Sequence, residues 1–183
     1  MDPVIQSLMD RYQLQPLPVE GTLFAQTYRS VAEVSPGHPA GTAMVGLYCE
    51  EPPSHSLFHR LTLDEIWHFY SGDPLQLILL KPDGSSEDVI LGPNPAAGHF
   101  AQYCVPAGVW QAGHLIQGGR YALYGCTLAP GWIPSCFEAG TRSALMASHP
   151  DRAEDIERWA CPEENSRFPA SPQYLRGSSP LPI

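Results

Sequence analysis

The sequence predicts an all-β fold, either a sandwich or a barrel, and three observations carry that prediction. Between residues 23 and 127, runs of roughly four to eight residues rich in β-branched and aromatic types follow one another. Turn signals of proline, glycine, asparagine and aspartate separate these runs. The 183 residues include 20 prolines and 16 glycines, a composition that suits many short strands better than long helices. This spacing argues against an alternating βαβ fold.

The runs predict nine strands. The clearest hairpin is expected at Pro82-Asp83-Gly84, because a turn sequence there joins two strand-like runs directly. The predicted strands cover residues 23–29, 42–49, 56–61, 65–70, 75–81, 87–91, 101–105, 110–115 and 120–127.

Helices are predicted only outside this region. Asp2 can cap a first helix that begins with Pro3, and its apolar residues recur at helical spacing. After residue 131 the pattern predicts two short helices, at 141–148 and 150–159. We therefore expect one domain over residues 1–161. Residues 162–183 are rich in proline and serine, and we expect a tail that can be removed without unfolding the domain.

Composition and charge exclude several classes of protein. The 10 basic and 19 acidic residues give a net charge of −9, which argues against nucleic-acid binding. No apolar run approaches the roughly 20 residues of a membrane span. The N-terminus does not resemble a signal peptide, so we expect a cytoplasmic protein with reduced thiols. The five cysteines, which form no Cys-x-x-Cys pair, are Cys49, Cys104, Cys126, Cys136 and Cys161.

Alternation along the predicted strands places candidate site residues on shared faces. If Glu65 points into the interior, Trp67 lies on the same face, while His68 points outward. On the preceding strand His59 faces the same way as Leu61. A pocket wall of His59, Glu65 and Trp67 is therefore plausible from spacing alone.

The strand at 110–115 carries two further candidates on opposite faces. Gln111 lies on one face, whereas Trp110 and His114 share the other. Unless the strand bulges, only one of Gln111 and His114 should face the interior.

Two segments resemble the half-motifs of the cupin superfamily. The interval from Glu65 to Gly72 matches the Glu-x6-Gly part of the first half-motif, and His59 matches its first histidine. The segment from Pro106 to Gln111 matches the form Pro-x-Gly-x-x-His of the second. Leu61 and Gln111 stand where that superfamily usually has histidines. The resemblance therefore implies no tight transition-metal site, and we expect no metal and no cofactor.

The departures themselves resemble one family, DUF985 or "cupin 5", over about residues 3–160. The resemblance implies a double-stranded β-helix, or jelly-roll barrel, with short N- and C-terminal helices and a small-molecule pocket. It also leads us to expect a homodimer, since an exposed sheet edge needs covering. This chain has Glu20-Gly21 where the family usually has a Gly-Gly step, which indicates a re-specified residue near the pocket mouth. The matching segments are 27–30, 58–60, 64–75, 105–111 and 125–131.

The candidate catalytic residues are His59 and Glu65. Neutral imidazole suits a general base, and a carboxylic acid with a raised pKa suits acid–base chemistry. The simpler alternatives are a hydrogen-bonded histidine in the pocket wall and a structural salt bridge from Glu65 to Arg60. The candidate substrate-binding residues are Trp67, Gln111, His68, His114 and Trp110.

Three function classes stay open from the sequence. The first is a metal-independent isomerase, epimerase, cyclase or lyase that acts on a small polar or cyclic metabolite. The second is a non-catalytic protein that binds a small molecule in the same pocket. The third is a metal-dependent dioxygenase, in which His59, Glu65 and Gln111 would form an incomplete ligand set.

Overall fold

The computed structural model describes residues 2–168, and their strands form two antiparallel sheets that face each other. The six-stranded sheet has the order β1-β2-β5-β12-β7-β10, and the five-stranded sheet has the order β13-β6-β11-β8-β9. β3 and β4 form a separate hairpin. The strands are β1 (Gln15–Pro16), β2 (Leu23–Arg29), β3 (Glu33–Ser35), β4 (His38–Pro39), β5 (Thr42–Cys49), β6 (Ser56–Leu61), β7 (Glu65–Gly72), β8 (Leu75–Leu80), β9 (Ser86–Leu91), β10 (Gln102–Val105), β11 (Trp110–Leu115), β12 (Tyr121–Leu128) and β13 (Phe137–Ala139).

All nine predicted strands are present in this jelly-roll arrangement. Four of them, β2, β5, β6 and β11, have the predicted bounds, and the others differ by one or two residues. The short strands β1, β3, β4 and β13 were not predicted. They have two or three residues each, too few to produce a periodic signal, and only long-range pairing defines them.

The main core lies between the two sheets, and the side chains of β7 alternate as expected. Trp67 is buried and Phe69 packs against the same core. Ile66 and Tyr70 lie on the opposite face and are exposed. This face assignment also turns Glu65 inward, where it is only 7% exposed.

Helix α1 (Pro3–Tyr12) packs on the outside of the six-stranded sheet. Asp2 caps it as predicted, because its Oδ1 accepts a hydrogen bond of 2.8 Å from the N–H of Val4. Ile5 is the buried residue of this helix. It belongs to a cluster with Leu47 and Leu123.

Helices α2 (Arg142–Ser148) and α3 (Ala153–Trp159) cover the outside of the five-stranded sheet. The second helix was predicted to begin at Pro150. Instead, Pro150–Arg152 form a 3-10 turn and α3 begins at Ala153. Leu145 and Ile156 are fully buried against Phe58 of β6.

Three other expectations concern the cysteines, the membrane and the tail. No disulfide joins the five cysteines, and all except Cys104 are buried. No helix within residues 2–168 is long and apolar enough to cross a membrane. Most of the predicted tail lies outside the described residues. Its described start includes a 3-10 turn at Glu163–Asn165, and the ring of Phe168 packs on Trp132 and Phe137.

Replacing Leu145 by alanine should destabilise the protein by about 2–5 kcal/mol, because the substitution leaves a cavity beneath α2. Urea unfolding monitored by circular dichroism measures this change. Val31→Ala is the matched control, since Val31 is exposed and its truncation should change stability by less than about 0.5 kcal/mol. Equal effects of the two substitutions would contradict the packing described for α2.

Candidate functional site

A pocket opens between the two sheets at the end of the barrel where β6 ends and β7 begins. The empty space between its lining side chains, together with open solvent at its mouth, is about 560 Å³. Most of its lining is apolar, with aromatic rings from Phe24, Trp132 and Phe137. Among its polar lining residues are Glu20, Gln26, Thr42, His59 and Glu65. His59 and Glu65 therefore face one cavity, as the alternation of β6 and β7 predicted.

The tautomer of His59 follows from a single backbone contact. Its Nδ1 lies 2.8 Å from the carbonyl oxygen of Leu57. A carbonyl can only accept, so Nδ1 carries a proton and donates it. The neutral ring therefore presents Nε2 as an acceptor. Phe137 stacks on the ring with a centroid distance of 5.3 Å, which fixes the plane of the imidazole.

Glu20 faces His59 from the loop before β2, and its position was not predicted. Its Oε2 lies 3.9 Å from Nε2 of His59. Its Oε1 accepts a hydrogen bond of 2.6 Å from the hydroxyl of Ser56, which in turn accepts one of 2.5 Å from Tyr48. The N–H of Leu57 donates to the backbone carbonyl of Glu20 at 2.9 Å. These contacts fasten the loop to β6, next to His59.

Glu65 is held by a chain of directed hydrogen bonds. The indole N–H of Trp67 donates to Oε1 of Gln111 at 2.9 Å, and Nε2 of Gln111 donates to Oε2 of Glu65 at 2.6 Å. Burial raises the pKa of the Glu65 carboxyl above its ordinary value. The nearby charge of His59 and the hydrogen bonds from Gln111 and Cys126 lower that pKa, while Glu20 raises it. The result is a carboxyl group that favours its protonated form more than an exposed glutamate does.

Two predicted substrate-binding residues lie behind the pocket surface. Trp67 is 2% exposed and stacks on Tyr124 with a centroid distance of 5.0 Å. Gln111 is 1% exposed, and both ends of its carboxamide are occupied by Trp67 and Glu65. The prediction that these side chains contact the substrate is therefore corrected, because Glu65 and Cys126 stand between them and the cavity. They hold Glu65 in place.

Three other predicted substrate-binding residues lie outside the barrel, which corrects their assignment. His68 is on the outer face of β7, where its ring contacts Thr127 and Gln102. His114 stacks on Trp159 of α3 with a centroid distance of 4.8 Å.

Trp110 is buried under the C-terminal helices, with the guanidinium of Arg60 4.4 Å from its ring centroid. β11 does not reverse its faces, so Trp110 and His114 point away from the pocket while Gln111 points inward.

Arg60 pairs with Glu138. The alternative in which Arg60 forms a salt bridge with Glu65 is therefore wrong.

Sequence reasoning missed Glu20, Trp132 and Phe137 as lining residues. Trp132 and Phe137 follow β12 in a segment with no periodic pattern, and β13 has only three residues. The departure noted at Glu20-Gly21 was the available signal. It marked the right position, but the approach of Glu20 to His59 depends on contacts with β6 that no local pattern encodes.

The donor set does not fit a transition-metal ion. Leu61 lines the pocket where a cupin would usually place a histidine. The carboxamide of Gln111 is fully engaged by Trp67 and Glu65. In the described part of the chain, no group of three or more His, Cys, Asp and Glu side chains is arranged to hold a metal. The residues that line this pocket therefore do not fit a tightly held transition-metal ion.

Comparison with known proteins places this geometry in a family. The family described as Cupin_5, Cupin superfamily (DUF985), matches residues 6–140. A crystal structure from Shewanella oneidensis is similar, with a TM-score of 0.80, 30% sequence identity, and coverage of 86% of this chain and 98% of that one. A hypothetical protein from Leishmania major has a TM-score of 0.77 and 28% identity, with the same coverages of 86% and 98%. No curated protein matches the chain.

The raised pKa of Glu65 predicts a specific pH dependence of stability. A carboxyl group whose pKa is raised in the folded state binds more protons in the folded than in the unfolded protein. Its contribution to folding stability therefore falls as pH rises. Relative to Glu65→Gln, the wild type should lose stability as pH rises above the ordinary pKa of 4.5. Urea unfolding of both proteins between about pH 4 and pH 8 measures the difference.

Glu87→Gln serves as the control with the opposite sign. Lys81 and Tyr103 lower the pKa of Glu87 through hydrogen bonds. The contribution of Glu87 to folding stability should therefore be present above its ordinary pKa and be lost as pH falls. A Glu65→Gln difference that is independent of pH, or that follows the Glu87 pattern, would contradict the description of Glu65.

Proposed function

Because the chain belongs to the Cupin_5 (DUF985) family of the cupin superfamily, we propose that its barrel pocket is the active site of a metal-independent acid–base enzyme. The substrate is a small polar or cyclic metabolite, and the reaction is an isomerisation, epimerisation, cyclisation or elimination. His59 and Glu65 transfer the protons.

One observation carries this proposal: an accepting ring nitrogen and a carboxyl group that favours its acid form face the same pocket. The contact of Nδ1 with Leu57 leaves Nε2 of a neutral His59 as an acceptor. Burial raises the pKa of Glu65, which favours its acid form. An acceptor and an acid that face one cavity are the arrangement that general acid–base catalysis requires. His59 is therefore the base and Glu65 the acid.

The shared step of these reactions is a proton transfer at carbon. Nε2 of His59 takes a proton from a carbon next to a carbonyl group, and the electron pair of that C–H bond forms a carbon–carbon double bond. The carbonyl oxygen takes the proton of Glu65, which leaves a neutral enol, a carboxylate and an imidazolium. Return of a proton to a different position or face completes an isomerisation or epimerisation.

Gln111 and Trp67 act on this step as positioning residues. Gln111 can donate to Glu65 in one orientation only, because Trp67 occupies its carboxamide oxygen. These hydrogen bonds fix the orientation of a carboxyl group that lines the pocket. The apolar lining excludes water and favours binding of a substrate with a hydrocarbon body.

Proton transfer at carbon in D2O gives the direct test. A panel of neutral, cationic and anionic small metabolites is incubated with the protein in D2O, and deuterium incorporation is measured by mass spectrometry. The wild type should label at least one compound. His59→Gln and Glu65→Gln should each slow labelling by about 100-fold or more, the usual size of an acid–base contribution.

Control substitutions share the residue types and lie outside the pocket. His114→Gln and Glu87→Gln should label the compound at the wild-type rate, and unfolding curves confirm that all four variants are folded. A compound that binds in the pocket without exchanging any carbon-bound proton would indicate a non-catalytic binding protein. Exchange that persists in both pocket variants would contradict the assigned roles.

A further inference from the structure

The titratable groups that residues 2–168 place around the pocket include no base other than His59. They include the carboxyl groups of Glu20 and Glu65 and the accepting Nε2 of His59, while the neutral side chains of Gln26 and Thr42 also line the cavity. Neither lysine nor arginine occurs in the lining formed by residues 2–168. Arg29 lies nearby, but its guanidinium donates to the backbone carbonyls of Trp132 and Gly37 at 3.4 and 3.3 Å. A carboxylate or phosphate ligand would therefore meet acceptors without a balancing cation.

Glu20 and His59 leave a gap that a donor can fill. The 3.9 Å between Oε2 and Nε2 exceeds the length of a hydrogen bond. The ring proton of His59 is already given to Leu57, and the other oxygen of Glu20 already accepts from Ser56. The His59 side chain lines the pocket and is only 3% exposed, and within residues 2–168 its Nε2 has no hydrogen-bond partner.

The number of protons distinguishes the groups that could occupy this gap. A hydroxyl has one proton and can donate to only one of the two acceptors. A primary ammonium has three protons, so it can donate to Glu20 and still donate to other acceptors, such as Glu65 or water. Its charge also offsets the cost of holding the Glu20 carboxylate in an apolar pocket.

The aromatic lining fits the same kind of ligand. Rings from Phe24, Trp132 and Phe137 surround the cavity, and aromatic faces attract organic cations within about 6 Å. The net charge of −9 increases the local concentration of cations around the protein. The remaining apolar surface of the pocket is suited to a hydrocarbon ring.

We propose that the pocket binds a primary ammonium compound with a cyclic apolar body, and that its nitrogen donates to Oε2 of Glu20, 3.9 Å from Nε2 of His59, which leaves Nε2 free to act as the base. This names the substrate class of the proposed enzyme and therefore rests on the function proposed above. Glu20 is the residue that selects the charge of the substrate.

Three probes of nearly equal shape and different charge test this selection. Benzylamine, benzyl alcohol and benzoate are titrated into the protein at pH 7 and about 0.15 M salt, which screens distant surface charges, and binding is followed by calorimetry. Benzylamine should bind at least about tenfold more tightly than benzyl alcohol, a difference of about 1.4 kcal/mol. Benzoate should not bind measurably.

Glu20→Gln removes the charge and keeps the shape of the side chain. It should weaken benzylamine binding at least tenfold and leave benzyl alcohol nearly unchanged. Glu154→Gln is the control, because Glu154 is an exposed glutamate on α3 and its loss should leave both affinities unchanged. In the wild type, benzylamine should also shift the 15N resonance of Nε2 of His59, a readout that needs no variant.

Equal affinity for amine and alcohol, or amine binding that is insensitive to Glu20→Gln with Nε2 unmoved, would overturn the proposal. The two proposals fail separately. Glu20-dependent amine binding without deuterium exchange of any amine supports this inference and contradicts the acid–base function. Exchange confined to neutral or anionic compounds supports the function and overturns this inference.

Discussion

Keeping a carboxyl group inside an apolar barrel requires a donor that cannot turn away, and the carboxamide of Gln111 provides it. A buried glutamate without such a partner would cost several kcal/mol or would stay outside. Because Trp67 fixes the oxygen of Gln111, its amide group is aimed at Glu65. The stacking of Trp67 on Tyr124 links this orientation to the packing of β7 against β12. The acid of the site is therefore positioned by the core itself.

On the opposite wall of the pocket, formed by His59 and Glu20, backbone contacts hold the accepting groups in place. Leu57 connects both residues of that wall: its carbonyl sets the tautomer of His59, and its N–H binds the backbone of Glu20. The outcome is a pocket with a held acid on one side and two facing acceptors on the other. The proposed charge selection depends on Glu20 and the proposed acid is Glu65, so a substitution at one of these residues leaves the other carboxyl group in place.

Local pattern accounts for much of this arrangement. Alternation on β6 and β7 correctly turned His59, Glu65 and Trp67 inward, and it allowed only one inward residue among Gln111 and His114. The assignment of His68, His114 and Trp110 to the pocket was wrong. It was based on the types of these residues and ignored the strand faces on which alternation places them. Glu20 could not be located, since its position comes from loop-to-strand hydrogen bonds between residues distant in sequence. The supporting role of Gln111 likewise needed the three-dimensional distances.

The central claim is that Glu65 and His59 share one electrostatic environment, and side-chain NMR tests it most directly. The carboxyl 13C resonance of Glu65 is titrated in the wild type and in His59→Gln. In the wild type its pKa should lie above that of exposed glutamates, because burial raises it. Without His59 that pKa should rise further, because the positive charge of a protonated His59 lowers it. A Glu65 carboxyl that titrates like an exposed glutamate in both proteins would contradict the account.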